Sequence, residues 1–324
     1  MNTFSYIITG AAGFIGRNLV AELNARGETD LLLVDELGTT EKWKNLVGLQ
    51  YEDIWEPETF RQSVLDGASG KGIKALIHLG ACSATTETDA DYLLDNNYRT
   101  TRDLCQWCLE QDVRFVYASS AATYGNGDEG YSDADDKTPG FSPLNMYGYS
   151  KHLFDLWALK NGLLDQIAGL KYFNVYGPHE EHKGDMRSVV YKSFEQIQES
   201  GDVKLFRSHR PDYEDGMQLR DFVFVKDAVD VTLWLADPEN PGGLYNCGTG
   251  QARSWLDLTN AVYKALDKDP KIEFIDMPAH LQPKYQYYTQ AEMGKLHQAG
   301  YTKPFTTLED GVAETVAYQV KNLG

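Results

Sequence analysis

The chain has 324 residues, 42% of them apolar and 24% charged, which is typical of a globular protein with one large domain or a large and a small one. Its formal net charge of −18 repels the phosphate backbone of nucleic acids, so we expect no nucleic-acid partner. For the same reason, a site for any phosphorylated ligand must carry its own local cations.

The N-terminal residues have neither the basic stretch nor the apolar core of a secretory signal. No apolar run approaches the roughly 18 residues that a membrane-spanning helix needs. We therefore expect a cytoplasmic protein without a membrane partner.

Short apolar runs alternate with helical patterns through the first half of the chain. The runs are continuously apolar, as is typical of strands buried on both faces, and lie at Phe4–Thr9, Leu31–Asp35, Ala75–Ala81 and Arg114–Ser120. Amphipathic spacing predicts helices over Phe14–Arg26 and Thr101–Glu110. This alternation indicates a parallel sheet covered by helices on both sides.

A glycine-rich turn follows the first predicted strand, with its glycines at Gly10, Gly13 and Gly16. Glycines in this position let the backbone approach a pyrophosphate, which lies at the N-terminus of the following helix. Asp35 ends the second predicted strand, where an acidic side chain commonly binds the ribose 2′-hydroxyl of NAD. Glu36 adds negative charge, whereas Lys42 could pair with the 2′-phosphate of NADP. At this point both cofactors remain open.

Neither the cysteines nor the histidines indicate a metal site. Cys105 and Cys108 have C-x-x-C spacing, but a zinc site needs a second pair and a redox motif needs a different context. His179 and His182 flank two glutamates without the spacing H-E-x-x-H. We expect Cys105 and Cys108 to be reduced, buried helix residues, and we expect no metal.

Tyr147 and Lys151 are four residues apart, so they share one face of a helix. A lysine ammonium and a cationic nicotinamide ring both favour the phenolate, which makes Tyr147 a base that can deprotonate a hydroxyl while hydride leaves its carbon. Ser120 ends a predicted strand, at the sheet edge where active sites of open α/β proteins lie. Its hydroxyl could donate a hydrogen bond to the reacting oxygen, and Lys151 could hold the nicotinamide ribose.

The two residues after Ser120 argue against one reaction class. Sugar 4,6-dehydratases usually have Asp-Glu there, as the acid and base that eliminate water, whereas this chain has Ala121 and Ala122. Oxidation followed by re-reduction, which is epimerisation, agrees better with these residues.

The alternation of strands and helices ends near Gly177. Two polar loops, two strands and two helices are then predicted at His179–Met186, His209–Gln218, Asp221–Val225, Gly243–Cys247, Leu256–Leu266 and Leu308–Tyr318. We predict an α/β protein with a Rossmann-type doubly wound parallel sheet and a smaller, discontinuous C-terminal substrate domain. The predicted boundaries are 1–175 with 218–250 for the dinucleotide-binding domain, and 176–217 with 251–324 for the substrate domain.

Several segments are more specific than the glycines and the Tyr/Lys pair. They are Gly80–Glu87, Asp95–Tyr98, Tyr117–Gly125, Tyr147–Lys151, Tyr172–Pro178, His182–Gly184, Arg220–Phe222, Gly248–Gly250 and Tyr285 with Thr289–Ala291. In these segments, and over nearly its whole length, the chain resembles the ADP-L-glycero-D-manno-heptose 6-epimerases, a family of extended short-chain dehydrogenases. The Ala-Cys-Ser segment and the His-Lys-Gly loop are the narrowest matches.

The resemblance implies inversion at C6″ of ADP-D-glycero-β-D-manno-heptose, giving the L-glycero epimer used in bacterial lipopolysaccharide cores. It implies that tightly bound NADP takes hydride from C6″ and that hydride returns to the opposite face of a 6″-keto intermediate. The two proton-transfer groups of the family correspond to Tyr147 and Lys183, with Ser120 and Lys151 in support. It also implies a homo-oligomer.

The resemblance implies further contacts with the two ligands. Those with the cofactor are Gly10, Gly13, Phe14, Ile15, Gly16, Asp35, Glu36, Lys42, Leu79, Gly80, Ala81, Cys82, Ser83, Asn96, Lys151, Val175 and Lys183. Those with the substrate are Ser120, Asn174, Asp185, Lys192, Phe206, Arg207, Ser208, Arg220 and Tyr285. The implied contact of Arg220 with substrate has a clear physical reason, because a guanidinium pairs bidentately with pyrophosphate oxygens.

Three features depart from the family pattern. Asp185 stands where relatives tend to carry a serine that contacts substrate, and this bears on substrate specificity. Glu36 replaces a typically neutral residue beside the adenosine ribose, and this bears on the choice between NADP and NAD. The loop Arg207–Leu219 is longer than usual.

Two other functions agree with part of the pattern. A C4 epimerase of a UDP- or GDP-sugar would share Tyr147 and Lys151, although such enzymes usually manage with one tyrosine and without a counterpart of Lys183. A non-catalytic dinucleotide sensor that binds partner proteins would commonly lack the tyrosine or the lysine, and both are present here.

Overall fold

The computed structural model of the chain describes residues 4–279, 282 and 285–323. Its strands are β1 (Tyr6–Thr9), β2 (Leu31–Val34), β3 (Asp53–Trp55), β4 (Ala75–His78), β5 (Arg114–Ser120), β6 (Ile167–Tyr172), β7 (Asn174–Tyr176), β8 (Val203–Phe206), β9 (Leu219–Phe224), β10 (Gly243–Cys247), β11 (Ala252–Ser254) and β12 (Ile272–Ile275). Its helices are α1 (Phe14–Ala25), α2 (Pro57–Leu65), α3 (Ala90–Leu93), α4 (Thr100–Glu110), α5 (Met146–Lys160), α6 (Val189–Glu199), α7 (Val225–Ala236), α8 (Trp255–Ala265), α9 (Gly294–Gln298) and α10 (Leu308–Leu323).

The main sheet has seven strands in the order β10-β6-β5-β4-β1-β2-β3. All of its pairings are parallel. The chain runs from β1 towards β3 and then restarts at β4 on the other side of β1. Strand order therefore reverses between β1 and β4, which is where ligands bind in sheets of this type. The predicted α/β fold class with a doubly wound parallel sheet is confirmed.

Both faces of the main sheet are buried, because neighbouring residues of each strand pack into different cores. Ile8 belongs to the core formed with α1 and α7. Ile7 belongs to the core formed with α2, α4 and α5. Continuous apolar runs are what such two-sided burial demands.

The C-terminal half adds two small sheets and a third core. Strand β9 pairs with β7 and β11, and β12 pairs with β8, so β9 is not part of the main sheet. Residues of α6, α8 and α10 pack together in the third core. The division of the chain into two domains at the stated boundaries stays a prediction.

Two segments predicted as polar loops contain buried residues. Glu181–Met186 forms 3-10 turns with a kink at Gly184, and the preceding Glu180 is fully buried. His209–Met217 forms neither helix nor strand, but Gln218 is fully buried. The prediction of an exposed loop over His209–Gln218 was therefore wrong at Gln218, because sequence alone does not show which polar side chains become buried.

Two further findings concern helices. Cys105 and Cys108 are free, buried residues of α4, as predicted. None of the described helices is long and apolar enough to cross a membrane.

Candidate active site

A cleft of about 860 Å³ opens at the carboxyl ends of β1, β4 and β5, beside the reversal of strand order. Its walls come from the turn after β1, the segment after β4, the end of β5, the start of α5 and the segment between β7 and α6. The cleft therefore collects residues that are almost 280 positions apart, from Gly10 to Thr289.

The glycine turn has the shape that a dinucleotide phosphate requires. Gly10 has a φ of +69°, and a Cβ built there would lie 2.7 Å from the backbone nitrogen of Gly80. Gly13 immediately precedes α1, a helix of 12 residues whose free N–H groups and dipole favour an anion. The residues present therefore fit the phosphates of a nicotinamide dinucleotide.

Asp35 is held by the protein itself. One carboxylate oxygen accepts the backbone N–H of Ala12 at 2.8 Å. The other accepts the backbone N–H of Glu36 at 2.8 Å and the Lys42 ammonium at 2.5 Å. Lys42 also donates to the Glu36 carbonyl at 3.2 Å, while the Glu36 side chain is exposed. An acid–base pair thus occupies the end of β2 beside the glycine turn.

Tyr147 is positioned by the first turn of α5. Asn145 precedes the helix and accepts the backbone N–H of Gly148 with its side-chain oxygen at 2.8 Å, an N-cap that fixes where the helix begins. Burial raises the pKa of Tyr147, and a hydrogen bond with Ser120 opposes that rise. Tyr147 and Ser120 both line the cleft.

Lys151 is buried one turn after Tyr147 and donates to the Ala118 carbonyl at 2.8 Å. Burial lowers the pKa of Lys151 to about 8, although the nearby Asp155 raises it. A raised pKa opposes the phenolate that the sequence analysis assigns to Tyr147, and a nicotinamide ring in the cleft would add positive charge that favours the phenolate.

Lys183 stands on another wall of the cleft, in the 3-10 turn Glu181–Met186. Its ammonium lies 3.0 Å from a carboxylate oxygen of Glu180 and 4.7 Å from the centre of the Phe14 ring. The structure thus gives one cleft a tyrosine hydroxyl on one wall and a lysine ammonium on another.

Asn45 and His182 join these walls, although neither was predicted to contact the cofactor or the substrate. Asn45 donates from its side-chain amide to the Ala12 carbonyl at 2.8 Å and contacts His182 Nδ1 at 2.9 Å. Burial, together with the cations Lys42 and Lys183, lowers the pKa of His182 to about 4. A neutral His182 accepts from Asn45, so the loop that carries Lys183 is tied to the glycine turn.

No local sequence pattern reveals this contact, since 137 positions separate Asn45 from His182. The His-Lys-Gly segment marks the histidine, but a lone asparagine in a short 3-10 helix gives no signal. In the part of the chain that the structure describes, no group of three His, Cys, Asp or Glu side chains is placed to hold a metal ion.

Most of the predicted cofactor contacts line the cleft. They are Gly10, Gly13, Phe14, Ile15, Gly16, Asp35, Lys42, Leu79, Gly80, Ala81, Cys82, Ser83, Lys151, Val175 and Lys183. Glu36 and Asn96 are not among the lining residues, and the Asn96 amide donates instead to the Asn97 side chain at 3.0 Å.

The predicted substrate contacts divide differently. Those that line the cleft are Ser120, Asn174 and Asp185. The others, which do not line it, are Lys192, Phe206, Arg207, Ser208, Arg220 and Tyr285. Lys192 is close by, since its ammonium donates to the Asp185 carbonyl at 2.7 Å. Arg207 pairs on the surface with Asp215 and Asp276.

Arg220 is buried behind the wall rather than exposed in it. Its guanidinium lies 5.7 Å from the Trp255 ring and 5.3 Å from the Tyr285 ring, and it donates to the carbonyls of Leu219 and Gln286. Trp255 and Gln286 themselves line the cleft. Arg220 itself does not line the cleft, so its role as a substrate contact stays a prediction.

Comparison with known proteins shows the family to which the chain belongs. The model of the NAD dependent epimerase/dehydratase family matches residues 6–248. The chain belongs to this family. It is 56% identical over 313 residues to an ADP-L-glycero-D-manno-heptose-6-epimerase of Nitratidesulfovibrio vulgaris, with 96% of each chain covered. It is 46% identical over 319 residues to the Fusobacterium nucleatum protein of the same name, again with 96% of each covered.

A solved structure agrees with these relatives. The crystal structure of Helicobacter pylori ADP-L-glycero-D-manno-heptose-6-epimerase superposes with a TM-score of 0.81 and 26% identity, covering 98% of this chain and 96% of that one. The resemblance to the heptose epimerases that the sequence motifs indicated is therefore confirmed within the epimerase/dehydratase family.

Proposed function

We propose that this protein inverts C6″ of ADP-D-glycero-β-D-manno-heptose to give the L-glycero epimer. The single observation that carries this proposal is that Tyr147, Ser120 and Lys183 line the same cleft, with the lysine on a different wall from the tyrosine. Inversion through a ketone needs a proton-transfer group for the hydroxyl of each epimer. The relatives' names supply the nucleotide sugar.

Each residue has a defined part in this proposal. Tyr147 exchanges a proton with the C6″ hydroxyl of one epimer, and Ser120 donates a hydrogen bond to the same oxygen. Lys183 exchanges a proton with the hydroxyl of the other epimer. A bound nicotinamide dinucleotide supplies the chemistry of accepting hydride from C6″ and returning it. Lys151 holds the nicotinamide ribose and adds positive charge near Tyr147.

We propose NADP rather than NAD as the cofactor. Lys42 lines the cleft at the end of β2 and provides a cation where a ribose 2′-phosphate would lie. The Asp35 carboxylate already accepts hydrogen bonds from Ala12, Glu36 and Lys42, so it has less acceptor capacity left for a ribose hydroxyl. NAD is the alternative, since an acidic residue at this position commonly favours it.

The test is incubation of the purified protein with ADP-D-glycero-β-D-manno-heptose and no added cofactor, with the two C6″ epimers resolved by NMR. Approach to a mixture of both epimers supports the proposed substrate and a dinucleotide that remains bound through the cycle. Absence of conversion, even with NADP⁺ and NAD⁺ supplied, contradicts the proposal.

The second candidate is a C4 epimerase of a UDP- or GDP-sugar. It needs Tyr147 and Lys151 but assigns no role to Lys183, which lines the cleft here. A panel of these sugars under the same conditions separates the two activities.

We further propose that the enzyme works in the cytoplasm as a homo-oligomer, as the resemblance implies. Light scattering on the purified protein measures its mass in solution.

A further inference from the structure

Glu180 is a fully buried carboxylate directly beside the proposed proton-transfer lysine. It lies in the segment between β7 and α6, three residues before Lys183. A carboxylate removed from water is stable only when charged or polar donors surround it. Its partners therefore show what it holds in place.

The carboxylate joins both ends of the segment that carries Lys183. One oxygen accepts the backbone N–H of Gly177 at 3.3 Å, just after β7. The other accepts the backbone N–H of Ser188 at 2.8 Å, where the Ser188 hydroxyl caps α6. The backbone carbonyl of Glu180 also accepts the N–H of Lys183 at 3.0 Å. A single side chain thus closes the 177–188 loop.

The same carboxylate sets the position of the Lys183 ammonium. The oxygen that accepts from Ser188 also accepts from the ammonium at 3.0 Å, while the Phe14 ring lies 4.7 Å from it on another side. Within the described residues, Glu180 is the hydrogen-bond partner found for this ammonium. An ammonium has three donors, so the others stay available for a ligand in the cleft.

We infer that Glu180 is a positioning residue for the epimerisation, holding the Lys183 ammonium at the reacting hydroxyl. The inference rests on the proposed function, because it gives Lys183 its role. Proton transfer needs heavy atoms within hydrogen-bond distance, and displacement by about 1 Å can cost about 100-fold in rate. Loss of the carboxylate therefore lowers kcat while leaving substrate binding nearly unchanged.

The experiment compares Glu180→Gln with the wild-type enzyme in turnover of ADP-D-glycero-β-D-manno-heptose. The glutamine carbonyl oxygen can replace the oxygen that accepts from Ser188 and the ammonium, but it carries no negative charge to hold the ammonium. The glutamine NH₂ group would then face the backbone N–H of Gly177, from which it cannot accept. We expect kcat to fall by about 10- to 100-fold, with KM within about threefold and the bound dinucleotide retained. The matched control is Glu199→Gln, which changes an exposed glutamate at the end of α6 and should leave kcat unchanged.

Glu180→Asp provides a second variant that keeps the buried charge and so protects folding. Its carboxylate is one methylene shorter, so we expect kcat between those of the wild type and Glu180→Gln, with KM again unchanged. The inference is contradicted if Glu180→Asp and Glu180→Gln both fold and both retain the wild-type kcat. It is also contradicted if the fall in kcat comes with a large rise in KM and a loss of bound dinucleotide. If the wild-type enzyme itself converts no substrate, the proposed function fails and the inference falls with it.

Discussion

At the scale of single residues, the cations in the cleft are each bound by a group of the protein. Lys42 pairs with Asp35, Lys183 pairs with Glu180, and Lys151 donates to a backbone carbonyl. A chain with a net charge of −18 needs such local cations to admit an anionic ligand. The pairing fixes their positions before a ligand binds, which reduces the ordering cost of binding.

Tyr147→Phe removes the proposed proton-transfer hydroxyl and little else. We expect kcat to fall by about 100- to 10,000-fold, the range that positioned acid–base catalysis contributes, while the dinucleotide stays bound. Turnover and the cofactor content of the purified variant measure both. The control is Tyr149→Phe on the exposed side of α5, which should behave as wild type. Near wild-type turnover of Tyr147→Phe would remove this residue from the chemistry.

Lys42→Ala tests the choice of cofactor. Because the charged hydrogen bond to a 2′-phosphate is lost, we expect the Kd for NADP to rise by about 10- to 100-fold, corresponding to about 1.5–3 kcal/mol. Binding of NAD should change only a few-fold, since it has no 2′-phosphate. Titration of the cofactor-free variant with each dinucleotide gives both constants, and equal losses for the two would contradict the NADP assignment.

The residues of the site were predictable where a local motif carries them. The glycines, Asp35, Tyr147 and Lys151 fall in patterns that a short stretch of sequence displays, and all line the cleft. Glu180 and Asn45 were not predictable, because their roles depend on partners brought together by the fold. Lys192 and Arg220 were predicted through the resemblance, yet they lie beside or behind the cleft wall.

At the scale of elements, a buried ion pair joins the main sheet to a helix. Lys171 of β6 and Asp155 of α5 are both fully buried and lie 2.9 Å apart. Asp155 also accepts the hydroxyls of Ser119 and Tyr117, and Lys171 also donates to Thr123. Because Ser119 precedes Ser120, and Asp155 lies one turn after Lys151, this network supports the strand end and the helix that carry the active-site side chains.

Lys171→Met should be strongly destabilising, because it leaves the Asp155 carboxylate buried without its cation. We expect a loss of about 3–5 kcal/mol in the free energy of unfolding, the cost of breaking a buried pair on one side. Urea titration measures it. Glu273→Gln in the exposed pair with Lys204, which joins β8 and β12, should change stability by less than about 1 kcal/mol. Equal effects of the two variants would contradict the buried role.

The elements that the sequence could predict are those with a clear apolar pattern. Strands β5 and β10 have the predicted limits, and α8 begins and ends one residue before its predicted limits, since their apolar patterns are clear. Strand β6 was not predicted, because Gly169 and Lys171 interrupt its apolar run. A fully buried lysine gives no strand signal until Asp155, 16 positions away, is known to face it.

At the scale of the whole molecule, one buried carboxylate ties distant parts of the chain together. Asp133 accepts the backbone N–H of Asn246 in β10 at 2.7 Å. The Asn246 amide in turn donates to the carbonyls of Tyr131 and Glu292. Burial raises the pKa of Asp133 from 3.8 to about 6, although the hydrogen bond from Asn246 opposes the rise.

This raised pKa makes stability depend on pH with a definite sign. The folded protein holds the Asp133 proton more tightly than the unfolded chain, so stability from this group is present below pH 3.8 and is lost as pH rises through about 6. The upper limit is about 3 kcal/mol, at about 1.4 kcal/mol per pH unit.

Asp133→Asn keeps an acceptor for Asn246 and removes the ionisation. We therefore expect the unfolding free energy of the wild type to fall relative to this variant between pH 4 and pH 7, by up to about 3 kcal/mol. Urea titrations of both proteins at several pH values measure the difference. A difference that does not change with pH, or one of the opposite sign, would show that Asp133 is not held protonated by the fold.

The most direct test of the proposed chemistry is epimerisation of ADP-D-glycero-β-D-manno-heptose in D₂O, with the isotope at C6″ of the product read by NMR and mass spectrometry. Hydride that moves from C6″ to a bound dinucleotide and back never exchanges with solvent. We therefore predict conversion to the L-glycero epimer with no deuterium at C6″. Product that carries deuterium at C6″ would show removal of that hydrogen as a proton, and would contradict the oxidation and re-reduction assigned to this cleft.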